Sequence, residues 1–348
     1  MKKQLFFFGL GVILFSCAKQ PDYPYIDLSL PTPLSNPKPV LRFENKVPFD
    51  MAIKDSLAIL LFSKEDTCGG VYNLNTQKPV GYFGVVGNGP GEVMRIDFVA
   101  NKQYALDRDS LYFSDTNQGR LMAISLKTPE KYLVLHDVSN SPNILYRIAF
   151  INLTQNFLVA KNISADEMFF INHRKTGERI GINYFPEVSG IGEIYKSAFY
   201  TPRLGMNESK GKIIMGTTMM DMIQVYDIHG ERKKIVCFSK KYILPVKEQV
   251  FDSSEGYTGI FSIFSTEKYC YAIRLKRGGE KQADQIPQTE TAFLLKMDWD
   301  GNLISSYSVQ NNITGIFIDE KSSRFYCIQN TIEDNHAEYY DVVYYDLN

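Results

Sequence analysis

The chain has 348 residues and a formal net charge of −1, with 44% hydrophobic and 22% charged residues. This composition is typical of a soluble globular protein with a large core, and the near-zero charge argues against a global field that would draw nucleic acid. Aromatic residues make up 13% of the chain, mostly Tyr and Phe, which favours β-strands because these side chains suit a pleated, half-buried surface.

The N-terminus has the pattern of an exported lipoprotein. Lys2 and Lys3 precede an apolar run, residues 5–15, whose 11 residues are too few for a membrane span of about 20. A basic start followed by a short apolar core is typical of a secretory signal. The run ends in Leu-Phe-Ser-Cys, which resembles a bacterial lipobox and predicts residues 1–16 as a lipoprotein signal peptide, cleaved before a lipidated Cys17. An ordinary signal with a chance cysteine is the alternative.

Residues 17–37 are rich in proline, with Pro21, Pro24, Pro31, Pro33 and Pro37. Because proline disrupts helices and central strands, this composition predicts a semi-extended tether that lifts a domain off the membrane. Acyl chains on the cysteine would hold it there, since each buried CH₂ adds about 0.8 kcal/mol. The remaining residues, 38–348, are predicted to form the folded domain.

Four further cysteines are present, Cys68, Cys237, Cys270 and Cys327. No pair has the C-x-x-C spacing, and the last two lie within apolar runs, where a free thiol packs as a small hydrophobe. The sequence therefore favours free cysteines, although export would permit disulfides.

Short alternating runs bounded by polar turns dominate the chain after residue 40, and they predict strands. The turns recur about every 50 residues, which divides the chain into six units of four strands. We therefore predict an all-β fold, a six-bladed β-propeller with four-stranded antiparallel blades. The last unit lacks one strand, and residues 38–45 precede the first unit, so this N-terminal strand is predicted to close the ring in the last blade. The first five predicted blades end near Gly84, Asp137, Phe185, Ser239 and Val309.

The stretch Tyr82–Val93, YFGVVGNGPGEV, holds four glycines that could cradle a phosphate or form only a bend. A P-loop needs a following Lys and a helix, and a dinucleotide-binding turn also leads into a helix; neither pattern is present. The stretch is therefore interpreted as the connection between blades one and two. Together with the lipobox, GVVGNGPGEV resembles the TolB-like six-bladed propeller lipoproteins common in Bacteroidetes. The resemblance implies the fold and an envelope location, but no particular chemistry.

In a propeller, the loops between blades and the loops between the second and third strands of each blade share one face, around the mouth of the central channel. Aromatic and basic side chains there could hold a sugar or an anionic ligand, with ordinary solvated loop residues as the alternative. The candidate residues on this ligand face are Arg95, Asp97, His136, Tyr146, Arg147, Tyr200, Arg203, Tyr257, Arg277 and His336.

The sequence gives little support for catalysis. Only four His are present, without the spacing of a metal site, and no G-x-S-x-G motif occurs. No catalytic residue, metal ligand or cofactor is predicted. An alternative function stays open, a Ca²⁺-dependent hydrolase or lactonase with its site at the channel mouth. Its ligands would come from Asp97, Asn143, Glu193 and Glu255, whose convergence the sequence does not establish.

The first interpretation is a lipid-anchored binding or scaffolding module of the cell envelope rather than an enzyme. Its partner would be a glycan, a peptide or a protein, and it would bind no nucleic acid. We expect a monomer of the outer membrane, held to the lipid through Cys17. Residues 18–21 (AKQP) lack the acidic run linked with surface export, which favours the periplasmic side over the cell surface.

Overall fold

The computed structural model describes most of the chain after residue 22. The described ranges are 23–28, 30–63, 65–87, 89, 92–94, 96–99, 102, 106, 109–115, 117–127, 136–137, 147–188, 190–241, 243, 246–247, 250–251, 257–277, 291–310, 313–332 and 338–347. Side chains are described in these ranges except at 136–137, 193–194, 246–247, 250–251, 257, 277, 291, 310, 332 and 338. No helix within the described ranges is both long and apolar enough to cross a membrane.

Two short strands come first, and both join the outer edges of later blades: β1 (Thr32–Pro33) and β2 (Lys38–Phe43). Three antiparallel blades of four strands then follow in chain order. Blade one has β3 (Val47–Lys54), β4 (Leu57–Ser63), β5 (Thr67–Asn73) and β6 (Lys78–Val85). Blade two has β7 (Asp97–Phe98), β8 (Ser110–Asp115), β9 (Arg120–Ser125) and β10 (His136–Asp137). Blade three has β11 (Ile148–Leu153), β12 (Phe157–Asn162), β13 (Phe169–His173) and β14 (Arg179–Ile182).

A short helix, α1 (Glu193–Phe199), leads into the second half of the ring. Blade four has β15 (Pro202–Asn207), β16 (Lys212–Thr217), β17 (Met220–Asp227) and β18 (Arg232–Cys237). A small hairpin, β19 (Val246–Lys247) and β20 (Val250–Phe251), precedes blade five. Blade five has β21 (Tyr257–Ser265), β22 (Cys270–Arg277), β23 (Thr291–Met297) and β24 (Leu303–Gln310). Blade six has β25 (Ile313–Asp319), β26 (Arg324–Ile332) and β27 (Glu338–Asp346), completed by β2.

The N-terminal strand closes the ring, as the sequence predicts. β2 pairs antiparallel with β27 and becomes the outer strand of blade six. Arg42 of β2 forms a bidentate ion pair with Asp341, with 2.9 Å from Nε to Oδ1 and 3.0 Å from Nη2 to Oδ2. Phe43 reaches into blade one, where its ring lies edge-on to Phe62 and Tyr72 with centroid distances of 5.9 and 5.1 Å. β2 therefore joins the last blade to the first.

The middle strands of the blades are covered on both faces by neighbouring blades. Five consecutive residues of β4 and five of β5 are buried, which is why their apolar runs are continuous rather than alternating. The four cysteines after residue 22 are free and buried. Burial raises the pKa of Cys68 to about 11 and that of Cys237 to about 12, so the thiols act as small apolar packing groups.

The turn face, opposite the ligand face, carries the turns between the first and second and between the third and fourth strands of each blade. Side chains in these turns form hydrogen bonds to neighbouring blades. Three such bonds run between successive blades: Asn156 Nδ2 to Glu208 Oε1, Asn207 Nδ2 to Glu267 O at 2.8 Å, and Thr266 Oγ1 to Glu320 Oε1 at 2.8 Å. Side chains of this face therefore help to hold blades three to six together.

The described part of residues 23–37, which we call the strap, is extended and lies along the outside of the propeller. Its backbone bonds first to the outer strand of blade four, where Ile26 N donates to Cys237 O at 2.8 Å. It then pairs in parallel with β24 through β1, and Leu34 N donates to Ser308 O at 2.9 Å. The strap thus crosses two blades before β2 completes the third.

Candidate ligand-binding channel

A cavity of about 610 Å³ lies on the axis of the propeller, where the first strands of all six blades meet. Its walls include residues of β3, β7, β11, β15, β21 and β25. The volume is within the range of about 300–1,000 Å³ that is usual for small-molecule sites. The cavity is therefore large enough to hold a small ligand.

Four of the six channel-lining strands contain a β-bulge at the level of the cavity. One extra residue interrupts the register of β3 at Phe49, of β11 next to Phe150, of β21 at Phe261 and of β25 at Gly315. A bulge locally re-aims a side chain relative to the regular pleat. Three phenylalanines are presented to the channel in this way, and all three line the cavity.

The two remaining blades supply Phe98 and Arg203 to the same cavity. The six positions form what we call the inner ring: Phe49, Phe98, Phe150, Arg203, Phe261 and Gly315. Successive members are separated by 49 to 58 residues, or one blade. The ring therefore has four aromatic members and a single cation.

Arg203 and Gly315 are the exceptions in this ring, and each has a structural context. The Arg203 guanidinium carbon lies 4.6 Å from the centroid of the Phe150 ring, within the range of a cation–π contact. At Gly315, φ is +46°, and an added Cβ would lie 2.8 Å from the Asp50 Cα. Glycine is required there because blade six approaches blade one closely.

Lys102 is a second cation at the cavity wall. Lys102 is buried, and its Nζ lies 2.6 Å from both Asp50 Oδ1 and Met51 O, and 4.8 Å from the centroid of the Phe98 ring. Burial lowers the pKa of Lys102, and the Asp50 carboxylate opposes that shift. Lys102 therefore joins blades one and two at the cavity wall.

Asn152 contributes a hydrogen-bond acceptor to the cavity wall. Its side chain is fully buried, and Nδ2 donates to Leu204 O at 3.0 Å across the boundary between blades three and four. Its Oδ1 has no hydrogen-bond partner among the described residues. Because a buried carbonyl oxygen without a donor costs about 1–3 kcal/mol, a ligand hydroxyl or N–H group at this point would be stabilised.

The structure brings two of the sequence-predicted site residues together. Asp97 and Arg203 both line the channel cavity. Arg147 lies outside the cavity, is exposed, and donates from Nη1 to Ser164 Oγ at 3.0 Å. The four inner-ring phenylalanines were not among the predicted residues. Their recurrence once per blade, in PFD, DFV, AFI and IFS, was the available signal.

Tyr200 belongs to the core and not to an open ligand face. It is 2% exposed, its ring centroid lies 4.8 Å from that of Tyr184 with the two rings tilted by 35°, and its hydroxyl donates to Pro186 O. Burial raises the pKa of Tyr200 to about 12. The side chain therefore fixes the loop before blade four.

The other predicted residues are placed by their backbone only or lie outside the described residues. His136 is in β10, the outer strand of blade two, which is far from the channel in strand order. Tyr257 and Arg277 are opposite each other at the ligand-face ends of β21 and β22. Arg95, Tyr146 and His336 lie outside the described residues.

The glycine stretch forms the loop between blades one and two, and the side chain of its own Glu92 occupies the space inside that loop. Gly89 N donates to Glu92 Oε2 at 2.6 Å, and a Cβ added at Gly87 would lie 2.0 Å from the same oxygen. Arg120 Nη2 donates to Glu92 O at 2.6 Å. The loop therefore encloses an internal carboxylate in the space where an external anion would have to lie.

Exposed apolar side chains are concentrated on the ligand face. Five large hydrophobic residues there are 42–56% exposed: Val85, Val86, Met94, Ile163 and Tyr195. They come from three separate connections: between blades one and two, within blade three, and between blades three and four.

In the part of the chain that the structure describes, no three His, Cys, Asp or Glu side chains are placed to share a metal ion. Asp97 lines the cavity, whereas the side chains of Asn143, Glu193 and Glu255 lie outside the description. The hypothesis of a calcium-dependent hydrolase stays a prediction.

Comparison with known proteins identifies the architecture. A family model described as TolB-like 6-blade propeller-like matches residues 40–321. A member of the DUF4221 family from Bacteroides vulgatus is similar in structure, with a TM-score of 0.52, 12% identity, and coverage of 90% of this chain and 95% of its own. A Bacteroides fragilis protein described as exported has a TM-score of 0.50 and 9% identity, covering 92% of this chain and 99% of its own. No curated protein matches by sequence. At these identities the structural likeness concerns the fold alone.

Proposed function

The chain belongs to the TolB-like six-bladed propeller family, and from that premise we propose that it is a lipid-anchored binding module of the bacterial cell envelope. The signal-like residues 1–16 and Cys17 support the anchor. The similarity to an exported Bacteroides fragilis protein supports an envelope location. We place the protein at the outer membrane, on its periplasmic side.

The inner ring is the observation that carries this function. Its four phenylalanines and Arg203 surround a cavity large enough for a ligand. Aromatic rings stack on the apolar faces of sugars and side chains, while a guanidinium pairs with carboxylates in a planar geometry. The ligand class that fits is a glycan or peptide segment that carries an acidic group.

The Asn152 acceptor adds to this specificity. Its Oδ1 would accept a hydrogen bond from a hydroxyl or amide N–H of a ligand that reaches the cavity wall between blades three and four. Fragments of peptidoglycan combine all three features, because they have sugar rings, amide groups and free carboxylates. We therefore propose them as the first ligands to test.

Calorimetric titration of the full mature protein tests the ligand class. The probes are N-acetylmuramyl tripeptide, which carries carboxylates, and the neutral trimer of N-acetylglucosamine. We expect the acidic probe to bind and Arg203→Gln to weaken it about tenfold or more, since a hydrogen bond to a charged group contributes roughly 1.5–3 kcal/mol. Arg203→Lys should retain part of the affinity.

Arg147→Gln is the matched control, because Arg147 is an exposed arginine on the same face and outside the cavity. It should leave the affinity unchanged. Equal binding of both probes, or no binding of the acidic probe, would contradict the proposed ligand class. Equal losses of affinity in Arg203→Gln and Arg147→Gln would contradict the proposed binding site in the cavity.

The anchor is tested separately. Cys17→Ala removes the thiol that would accept the lipid, so the variant should leave the detergent phase in a phase-partition assay. A variant that still partitions with detergent like the wild type would overturn the lipoprotein assignment.

A further inference from the structure

The path of the strap limits how far the propeller can stand from a membrane. Tyr23, where the described chain begins, is already seated on the propeller, with its ring 6.3 Å from that of Phe185. Six residue steps separate Cys17 from Tyr23. Since a fully extended chain spans at most about 3.3–3.6 Å per residue, Tyr23 lies within roughly 20 Å of a lipidated Cys17.

Beyond Tyr23, the strap runs along the outer edge of blade four. Tyr25 forms a parallel β-bridge with Cys237 at the end of β18, and Ile26 and Leu28 pack into the cluster between blades four and five. The chain reaches blade six only after crossing this edge. An anchor at Cys17 therefore holds blade four, and not the opposite blade one, next to the lipid.

The same edge carries a local positive charge in a chain that is nearly neutral overall. Residues 227–241 hold five basic residues (Arg232, Lys233, Lys234, Lys240 and Lys241) against two acidic ones (Asp227 and Glu231), so 5 − 2 gives a net charge of +3. The two acidic side chains lie together on one of the cations, Lys233, in ion pairs. Arg232, Lys240 and Lys241 are exposed on or beside β18.

Apolar groups accompany these cations. Tyr25 is 47% exposed with Lys240 Nζ 5.5 Å from its ring centroid, and Leu30 further along the strap is 93% exposed. Aromatic and apolar side chains beside lysines are typical of surfaces that rest in the headgroup region. Each basic residue near an anionic leaflet adds about 1 kcal/mol of attraction.

We infer that the outer edge of blade four, formed by β18, residues 240–241 and the strap, is the membrane-facing side of the protein and contacts anionic headgroups. This inference rests on the lipid anchor of the proposed function. The propeller then stands on its rim, and the channel axis runs along the bilayer plane, so that the channel mouth opens sideways into the aqueous compartment.

Photo-cross-linking of the full lipidated protein in vesicles of phosphatidylethanolamine and phosphatidylglycerol tests this orientation. Lys240→p-benzoylphenylalanine reports on the proposed edge. Lys78→p-benzoylphenylalanine is the matched control, because Lys78 is an exposed lysine in β6, the outer strand of blade one, on the opposite side of the six-bladed ring. We expect lipid adducts several-fold more abundant at position 240 than at position 78.

Equal adduct yields at the two positions, or a higher yield at 78, would overturn the inference, since the propeller would then tumble on its anchor or face the other way. A protein adduct in place of lipid at 240 in cell envelopes would also overturn it. The contribution of charge is measured with p-benzoylphenylalanine in place of Tyr25. The triple variant Arg232→Gln/Lys240→Gln/Lys241→Gln should lower the yield of lipid adducts at position 25. An unchanged yield would show that these charges do not contribute to the lipid contact.

The anchor and the orientation fail in distinguishable ways. Failure of the anchor hypothesis appears as an unaltered detergent partition in Cys17→Ala, whereas a wrong orientation appears as a lost 240-to-78 asymmetry in the wild-type background. The cross-linking yields are measured on lipidated, vesicle-bound protein, so they report on the orientation of the propeller and not on the presence of the anchor.

Discussion

β1 and β2 both pair with the outer edge of a blade, but they differ in the length of the pairing, in burial and in ion pairing. β2 pairs antiparallel through five of its six residues, buries Leu41 and Phe43, and carries a bidentate ion pair. β1 pairs in parallel over two residues, Thr32 and Pro33, and both are exposed. A strand that pairs with the edge of a blade can therefore be either an integral part of the fold or a weakly held addition to it. β2 is part of the domain, whereas β1 belongs to a strap laid over it.

Removal of β2 should have the largest effect. A protein that begins at Lys46 loses two buried side chains, whose truncation alone typically costs about 2–5 kcal/mol each, and it exposes the whole edge of β27. We expect aggregation or loss of the cooperative thermal transition, measured by circular dichroism and size-exclusion chromatography. Unchanged melting and a monomeric elution would show that ring closure does not depend on this strand.

The ion pair within β2 should have an intermediate effect. Arg42→Met leaves the Asp341 carboxylate, which is only 12% exposed, without its cation. We expect a loss of about 1–3 kcal/mol in the free energy of unfolding by urea titration, because a nearly buried charge is left unpaired.

The double variant Arg42→Met/Asp341→Asn is the control for this prediction. It should recover much of the stability, since the unpaired charge is gone. If both variants are equally unstable, the loss comes from the stacking of Arg42 on Tyr339, at 4.1 Å from the ring centroid, and not from charge.

Deletion of residues 23–34 should cost less than deletion through residue 45. The strap contributes a few backbone hydrogen bonds and partly buried apolar groups such as Ile26 and Leu28, for which we expect roughly 1–3 kcal/mol in total. Chemical denaturation of the shortened protein measures this loss. A destabilisation as large as that of the protein beginning at Lys46 would erase the distinction between β1 and β2.

The smallest effect is expected at the surface pair of β2, Lys38 and Asp346, at 2.6 Å. The hydrogen bond from Lys38 holds the pKa of Asp346 below its usual range. A carboxyl whose pKa is depressed by folding stabilises the fold above its unfolded pKa, and that contribution is lost as the pH falls through the folded value. Lys38→Met should therefore shift acid unfolding slightly upward in pH, whereas an identical acid transition would mean that solvent screens the pair completely.

The blade pattern was predictable because turns and strands repeat in the sequence at a fixed interval. The inner ring is harder to find, since a bulge inserts one residue into an alternating strand, so that alternation does not reveal it and only the recurrence of a phenylalanine in four of the six units does. Tyr200 shows the opposite error, because a position in a loop does not establish exposure when the loop folds back over it. Proline content predicted that the strap is extended, but composition carries no information on which edge an extended segment lies against.

Ring closure has a consequence for biogenesis. Arg42 and Asp341 are 299 residues apart, so the first strand of the domain to leave the ribosome is among the last to find its partner. Contacts of such long sequence separation slow folding, because the loop must be closed before the contact stabilises anything. During synthesis the propeller therefore stays an open arc until β27 has emerged.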